Sequence, residues 1–252
     1  MGQVLVTGAR RGIGKAIALA FAKADFDVAV ADIDAGDELQ AVADEISRLG
    51  YKTAAIRADI ADITSHQRIL DEAEAALGPL TTLVNNAGVS VLSRGDLLDV
   101  KPESYDRCMG VNARGTFFLT QAFATHVRDT ITECHRSIIT VTSANASAVS
   151  IARGEYCMSK SAASMMSKLF AARLSDEDIG VYEIQPGFIE TEMTAPSKAK
   201  YDALIENGLT VIKRFGQPAE VARIAVTLAS GLLPYTSGQA IQADGGLLTV
   251  RY

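Results

Sequence analysis

Cysteine, histidine and excess positive charge are all scarce in this chain, and each scarcity removes a class of function. The three cysteines, Cys108, Cys134 and Cys157, are odd in number, widely spaced and outside any CxxC pair. That usage excludes a disulfide framework and a thiolate metal site, and it predicts a cytoplasmic protein. His66, His126 and His135 are scattered and make no HExxH or paired-ligand pattern, so no metal is expected. The net charge is −6 and the isoelectric point lies near 5.2. Polyphosphates are held largely by Lys and Arg, so neither nucleic acid nor an anionic membrane is expected as partner, whereas a small molecule is. No apolar run reaches the roughly 18 residues that a membrane-spanning helix requires. The opening MGQVLVTGAR passes from a short apolar stretch straight into glycine, without the basic leader and long apolar core of a secretion signal. Repeats of solenoid period and low-complexity tracts are also missing.

What is there is a rhythm. Hydrophobic residues make up 48% of the 252, enough to bury a full core, and short Val-, Ile- and Ala-rich runs alternate with longer helical patterns. Strands are expected near Gln3–Val6, Val28–Asp32, Thr53–Ile56, Thr82–Asn85, Ser137–Thr142, Val181–Gln185 and Gln239–Ala243. Several are apolar without alternation, which fits parallel strands covered by helices on both faces. Helices are expected to begin near Gly14, Gly36, Thr64, Pro102, Gly115, Tyr156 and Pro218. The pattern predicts a single α/β domain over 1–252, a doubly wound Rossmann-type sheet. Residues 187–217 break the rhythm with polar residues and turn formers, and a substrate lid is expected there.

The first strand runs into Thr7-Gly8-Ala9-Arg10-Arg11-Gly12-Ile13-Gly14, which opens the first helix. Glycines in that context let the backbone approach a pyrophosphate, whose charge meets the N–H groups at the helix start. The spacing G-x-x-x-G-x-G departs from the usual G-x-G-x-x-G. Asp32 ends the second strand 20 residues after Gly12. Its carboxylate suits an adenosine ribose and repels a 2′-phosphate, which favours NAD. Arg10 and Arg11 keep NADP open, because a nearby guanidinium accommodates that phosphate.

Tyr156 and Lys160, in the run YCMSK, are four apart and so share a helix face. A neighbouring ammonium favours phenolate, so Lys160 is expected to lower the Tyr156 pKa. Ser143, 13 residues earlier, closes the fifth strand, and ligands in such sheets sit beyond the carboxyl ends of strands. Thr142 should face the opposite way by strand alternation. Cys157, about 100° around the helix from Tyr156, is expected to pack. Asn145, Arg153 and Glu155 flank Ser143 and Tyr156 and are expected to reach substrate, which points to a polar molecule such as a polyol, sugar or hydroxy acid.

Taken together, TGARRGIG, the NNAG of Asn85–Gly88, Asn112, Ser143, YCMSK and the Pro186-Gly187 turn resemble the classical short-chain dehydrogenase/reductase family, over nearly the whole chain. The resemblance implies a seven-stranded sheet in order 3-2-1-4-5-6-7 and an oxidoreductase that moves hydride between nicotinamide and a secondary alcohol or ketone. It assigns proton transfer to Tyr156, the substrate oxygen to Ser143, the nicotinamide ribose to Lys160, and a relay water to Asn112. It brings Asn86, Ala87 and Gly88 close to the cofactor, sets Asp59 and Ile60 at the adenine, and directs Ile189 and Thr191 to the carboxamide. It also implies a homotetramer pairing the helices Gly115–Thr132 and Tyr156–Asp176. Alternatives remain an NADPH-dependent 3-oxoacyl-[acyl-carrier-protein] reductase and a dinucleotide-binding regulator without turnover, because a fold does not dictate a function. The intact Ser143, Tyr156 and Lys160 argue against the regulator.

Overall fold

The computed structural model describes residues 2–130 and 132–250. Its centre is a seven-stranded sheet in the order β3-β2-β1-β4-β5-β6-β7. The strands are β1 (Gln3–Thr7), β2 (Asp27–Asp32), β3 (Thr53–Arg57), β4 (Thr82–Asn85), β5 (Arg136–Val141), β6 (Ile179–Pro186) and β7 (Ala240–Ala243). All six pairings are parallel. The apolar runs become strands because both of their faces are covered. Within β1, Val4 and Val6 join one core layer while Leu5 joins the other, as side-chain alternation requires.

One layer packs α1 (Gly12–Ala22), α2 (Asp37–Arg48) and α8 (Pro218–Ala229) against the sheet through residues such as Phe21, Val42 and Leu228. The other layer packs α3 (His66–Leu77) and α5 (Thr116–Val127) through Ile69, Leu70 and Phe123. Alongside lie α4 (Pro102–Cys108) and the long α6 (Gly154–Arg173). The expected helix Gly115–Thr132 is shorter as observed, and residue 131 of that span lies outside the described residues. Between α4 and α5 the backbone widens into a π-helix, Met109–Gly115, a form common at functional sites. Among the described residues no helix is long and apolar enough to cross a membrane.

Two boundaries matter for the site. β5 ends at Val141, so Ser143 stands in the connection beyond it instead of closing the strand. Ser143 is extended (φ −175°) and caps a short 3-10 turn, its hydroxyl accepting from the Asn145 N–H at 3.1 Å. The 187–217 segment holds α7 (Lys198–Glu206), which turn-rich composition did not announce. Its base is pinned where Ile189 pairs with Gly216, and Phe188 stacks on Tyr201 with ring centroids 4.4 Å apart. Strand order reverses about β1, which has β2 on one side and β4 on the other. The crevice at such a reversal, beyond the carboxyl ends, is where doubly wound sheets take ligands.

Candidate active site

A cavity of about 480 Å³ opens at that crevice. On one side the glycine loop forms its wall. Gly8 has a φ of 64°, a conformation that side chains rarely adopt. A Cβ on Gly14 would lie 2.0 Å from the Gly8 carbonyl oxygen, so α1 begins against the loop only because the residue is glycine. The Thr7 hydroxyl donates to the Val84 carbonyl at 3.1 Å and accepts from the N–H groups of Asn86 and Ala87, both at 3.1 Å. The Asn86 amide in turn donates to the carbonyls of Thr7 (3.0 Å) and Gly8 (2.9 Å). β1 and β4 are thereby tied together where their backbones face the cavity. Sequence reasoning passed over Thr7, whose signal was a hydroxyl directly after the apolar run Val4-Leu5-Val6.

Arg10 and Arg11 part company. Arg10 folds onto carboxylates: its backbone N–H donates to Asp32 at 3.3 Å, and its guanidinium lies 3.8 Å from Asp32, 3.6 Å from Asp34 and in contact with Glu38. The hydrogen bond that Arg10 donates to Glu38 and the charges of Asp32, Glu38 and Asp34 raise the Arg10 pKa, against an opposing effect of burial. Arg11 reaches across the cavity mouth to Glu192 in the 187–217 segment, at 2.5 Å.

Across from the loop, α6 presents Tyr156 and Lys160. Lys160 is 6% exposed and its ammonium donates to the Val141 carbonyl at 3.1 Å, so the helix is latched to the end of β5. Burial pushes its pKa down to about 8, against the opposing influence of Glu183 and Cys108. Tyr156 corrects an expectation. Burial raises its pKa, and the pull in the other direction comes from the Ser143 hydroxyl and the Arg153 charge, not from Lys160. Lys160 lies 5.9 Å from the centre of the Tyr156 ring. In a buried site the cost of desolvating a phenolate outweighs the attraction of a nearby ammonium.

Asn112 is 1% exposed and sits in the π-helix. Its side chain accepts from the Val89 N–H at 2.8 Å, and it donates to the Val89 carbonyl and the Ser159 hydroxyl, both at 2.9 Å. A Cβ on Gly88 would meet Asn112 Oδ1 at 3.2 Å and Lys160 Nζ at 3.3 Å, so Gly88 threads between the two. Thr142 also lines the cavity, and its hydroxyl donates to buried Glu183 at 2.5 Å. Glu183, 1% exposed, also accepts from Ser164 and Gln185, both at 2.8 Å. Glu183 escaped the sequence reading because it lies inside a strand.

The cavity is lined by Gly8, Arg11, Gly12, Ile13, Gly14, Asp32, Asn86, Ala87 and Gly88 on the glycine-loop side. Ser143, Asn145, Arg153, Tyr156, Lys160, Pro186, Gly187, Ile189 and Thr191 line it on the other sides, whereas buried Asn112 lies behind the lining. Arg153 donates to the Asn145 side-chain oxygen Oδ1 at 2.8 Å, and its guanidinium carbon stands 5.5 Å from the Tyr156 ring centre. Asp59 and Ile60 stand apart from the lining. Asp59 is exposed and accepts from the Ala61 N–H, and buried Ile60 packs in the second core layer.

Glu155 is a correction. It is 3% exposed and accepts from the Ser104 hydroxyl of α4 at 2.5 Å, facing away from the cavity. Neighbours on a helix point about 100° apart, so Tyr156 and Glu155 cannot both face the same space. Cys157, rotated the other way, packs beside the carbonyls of Ala148 and Ser150. Arg94 and Arg107 also line the cavity and were missed, because exposed loop and helix-end arginines carry no local signal of what they face.

Residues 8–248 match a family model described as enoyl-(acyl carrier protein) reductase. A 3-oxoacyl-[acyl-carrier-protein] reductase of Staphylococcus aureus (strain Mu50) is 33% identical over 246 residues, 96% of each chain. Among solved structures, a 3-oxoacyl-[acyl-carrier protein] reductase from Brucella melitensis in complex with NAD has a TM-score of 0.96 and 41% identity, covering 100% of this chain and 98% of its own. A putative 2-deoxy-d-gluconate 3-dehydrogenase from Agrobacterium tumefaciens with bound NADP has a TM-score of 0.86 and 30% identity, covering 99% and 97%.

Proposed function

The chain belongs to the classical short-chain dehydrogenase/reductase family, oxidoreductases acting on CH–OH and keto groups, and within it we propose that this protein exchanges hydride between NAD(H) and the secondary alcohol or ketone of a small polar substrate. The observation that carries the reading is the convergence of Tyr156, Ser143 and buried Lys160 on the cavity that the glycine loop also lines. When bound, the nicotinamide supplies the hydride acceptor or donor. Tyr156 moves the proton of the substrate oxygen, and Ser143 holds that oxygen beside it. Lys160 brings a positive charge to the back of the site, held by the Val141 carbonyl. Burial keeps Tyr156 protonated at neutral pH, the form that donates in ketone reduction. Alcohol oxidation, the direction that NAD favours, therefore gains from alkaline conditions.

The residues fit a dinucleotide. Gly8 and Gly14 leave a cradle that a Cβ would fill, and Asp32 lies beside it. The choice of NAD rests on Arg10, which Asp32, Asp34 and Glu38 occupy and so withhold from a 2′-phosphate. Turnover of an alcohol panel with both cofactors tests this: kcat/KM should favour NAD strongly, and equal or better use of NADP would refute the assignment.

A 3-oxoacyl-thioester reductase is the second reading, supported by the activity that the Staphylococcus and Brucella proteins are named for. Efficient reduction of acetoacetyl-CoA with NADPH would favour it. The 187–217 segment, bridged to the glycine loop by Arg11 and Glu192, serves in this account as a lid. A cytoplasmic homotetramer completes the reading. Exposed Met158, Met165 and Leu169 on α6 supply an apolar face for a second copy, and a monomer by light scattering would remove that face from the account.

A further inference from the structure

The cavity's arginines fall into two groups. On the dinucleotide side, Arg10 and Arg11 are each paired with carboxylates, and Asp32 and Glu192 are the acids lining the cavity. On the substrate side, Arg94, Arg107 and Arg153 line the wall with no acid among them in the described residues. Among the described residues none of the three forms an ion pair. Each is oriented by neutral oxygens instead: Arg94 donates to the Ser197 hydroxyl and Arg107 to the Ser90 carbonyl, both at 2.7 Å. Arg153 donates to Asn145 at 2.8 Å, and a longer contact of 3.4 Å joins it to the Ser150 hydroxyl.

Arg153 is the most constrained of the three. It is partly buried, fixed by Asn145, and 5.5 Å from the centre of the Tyr156 ring. A guanidinium held in a cavity without a counter-charge is an incomplete pair, and its planar donor fork matches a carboxylate. A neutral polyol would leave the Arg153 fork without an anionic partner, whereas an anion gains charge-assisted hydrogen bonds from it.

We propose that the substrate half of the cavity recognises a carboxylate, with Arg153 binding it next to the reacting carbon and Arg94 and Arg107 attracting it from the rim, so that the substrate is a hydroxy acid or its oxo acid. This rests on the reading of the cavity as an alcohol or ketone site. In oxidation the carbinol C–H and O–H bonds break, the hydride would pass to NAD, the proton passes to the deprotonated Tyr156 phenolate, and a C=O bond forms. The carboxylate is unchanged throughout. Arg153 is the specificity-determining residue for that group.

The test is calorimetric binding to the protein loaded with NADH, using 3-hydroxybutyrate and gluconate as probes, each against a neutral counterpart, methyl 3-hydroxybutyrate and glucitol. One or two charge-assisted hydrogen bonds in a partly buried site correspond to a preference of about ten- to hundredfold for the acid. Arg153→Gln should bring that preference to near unity with NADH affinity unchanged, and Arg153→Lys should restore part of it. Wild-type protein that binds neither acid more tightly than its neutral counterpart would overturn the proposal. So would an Arg153→Gln variant that keeps the preference. Turnover is measured separately. Acid-selective binding without redox turnover of any probe would count against the oxidoreductase reading while leaving carboxylate recognition standing.

Discussion

Replacing Lys160 by Met separates what the fold tolerates from what the chemistry needs. The ammonium is 6% exposed, and burial lowers its pKa from 10.5 to about 8. That difference corresponds to about 3 kcal/mol by which the folded state disfavours the charged form. Below about pH 8 both folded and unfolded chains carry the charge, so the cost is fully present. Between about pH 8 and 10.5 the folded chain releases its proton first, and wild-type stability rises with pH relative to an untitratable variant. Lys160→Met removes this cost but strips the Val141 carbonyl of its donor, a loss of about 1–3 kcal/mol. The two effects nearly cancel. The variant should therefore lie within about 2 kcal/mol of wild type at pH 7, on the stable side, and fall relative to it as pH approaches 10. Denaturant unfolding of both proteins at neutral and alkaline pH measures the difference, from which groups common to both drop out. Turnover should meanwhile fall by about 10²–10⁴. A variant several kcal/mol less stable at pH 7, by an amount independent of pH, would refute the reasoning, because the buried ammonium would then be a net stabiliser.

Other outcomes follow from neighbouring contacts. Gly14→Ala places a methyl against the Gly8 carbonyl, 2.0 Å away before relaxation, and should weaken NADH affinity at least about tenfold by fluorescence titration. Unchanged affinity would show that the loop does not hold the dinucleotide. Glu183→Gln keeps one acceptor oxygen, for Thr142 or Ser164 but not both, and removes the negative charge that supports protonated Lys160. The Lys160-linked pKa should move below about 8, read from the pH dependence of kcat/KM, and an unmoved profile would disconnect the two residues. Alcohol oxidation by the wild type should rise with pH above neutrality, because burial keeps Tyr156 protonated there, and a flat profile would contradict that role.

The fold was legible because its strands are apolar runs covered on both faces, and a pattern such as VLV in β1 has few other uses. The glycine loop, Asp32 and the Tyr156-Lys160 pair were legible because spacing along a loop or one helix turn is itself geometry. Glu155 was misassigned by treating adjacency in sequence as adjacency in space, which a helix forbids. Tyr156 was given the wrong direction of shift because proximity to Lys160 shows in the sequence and desolvation does not. Glu183, Thr7 and the rim arginines depend on what lies across from them, and no local pattern records that. The π-helix carrying Asn112 has no compositional mark, so only the family resemblance pointed there.

The central claim is that Tyr156 moves the substrate proton in a site that binds NADH without it. Tyr156→Phe, assayed for NADH formation on an alcohol and hydroxy-acid panel beside fluorescence titration of NADH, tests both halves at once. Turnover of the panel by the wild type is expected, with a loss of about 10²–10⁴ in the variant and unchanged NADH affinity. A variant that retains turnover would contradict it, as would a wild-type protein that binds NADH yet oxidises nothing on the panel with either cofactor.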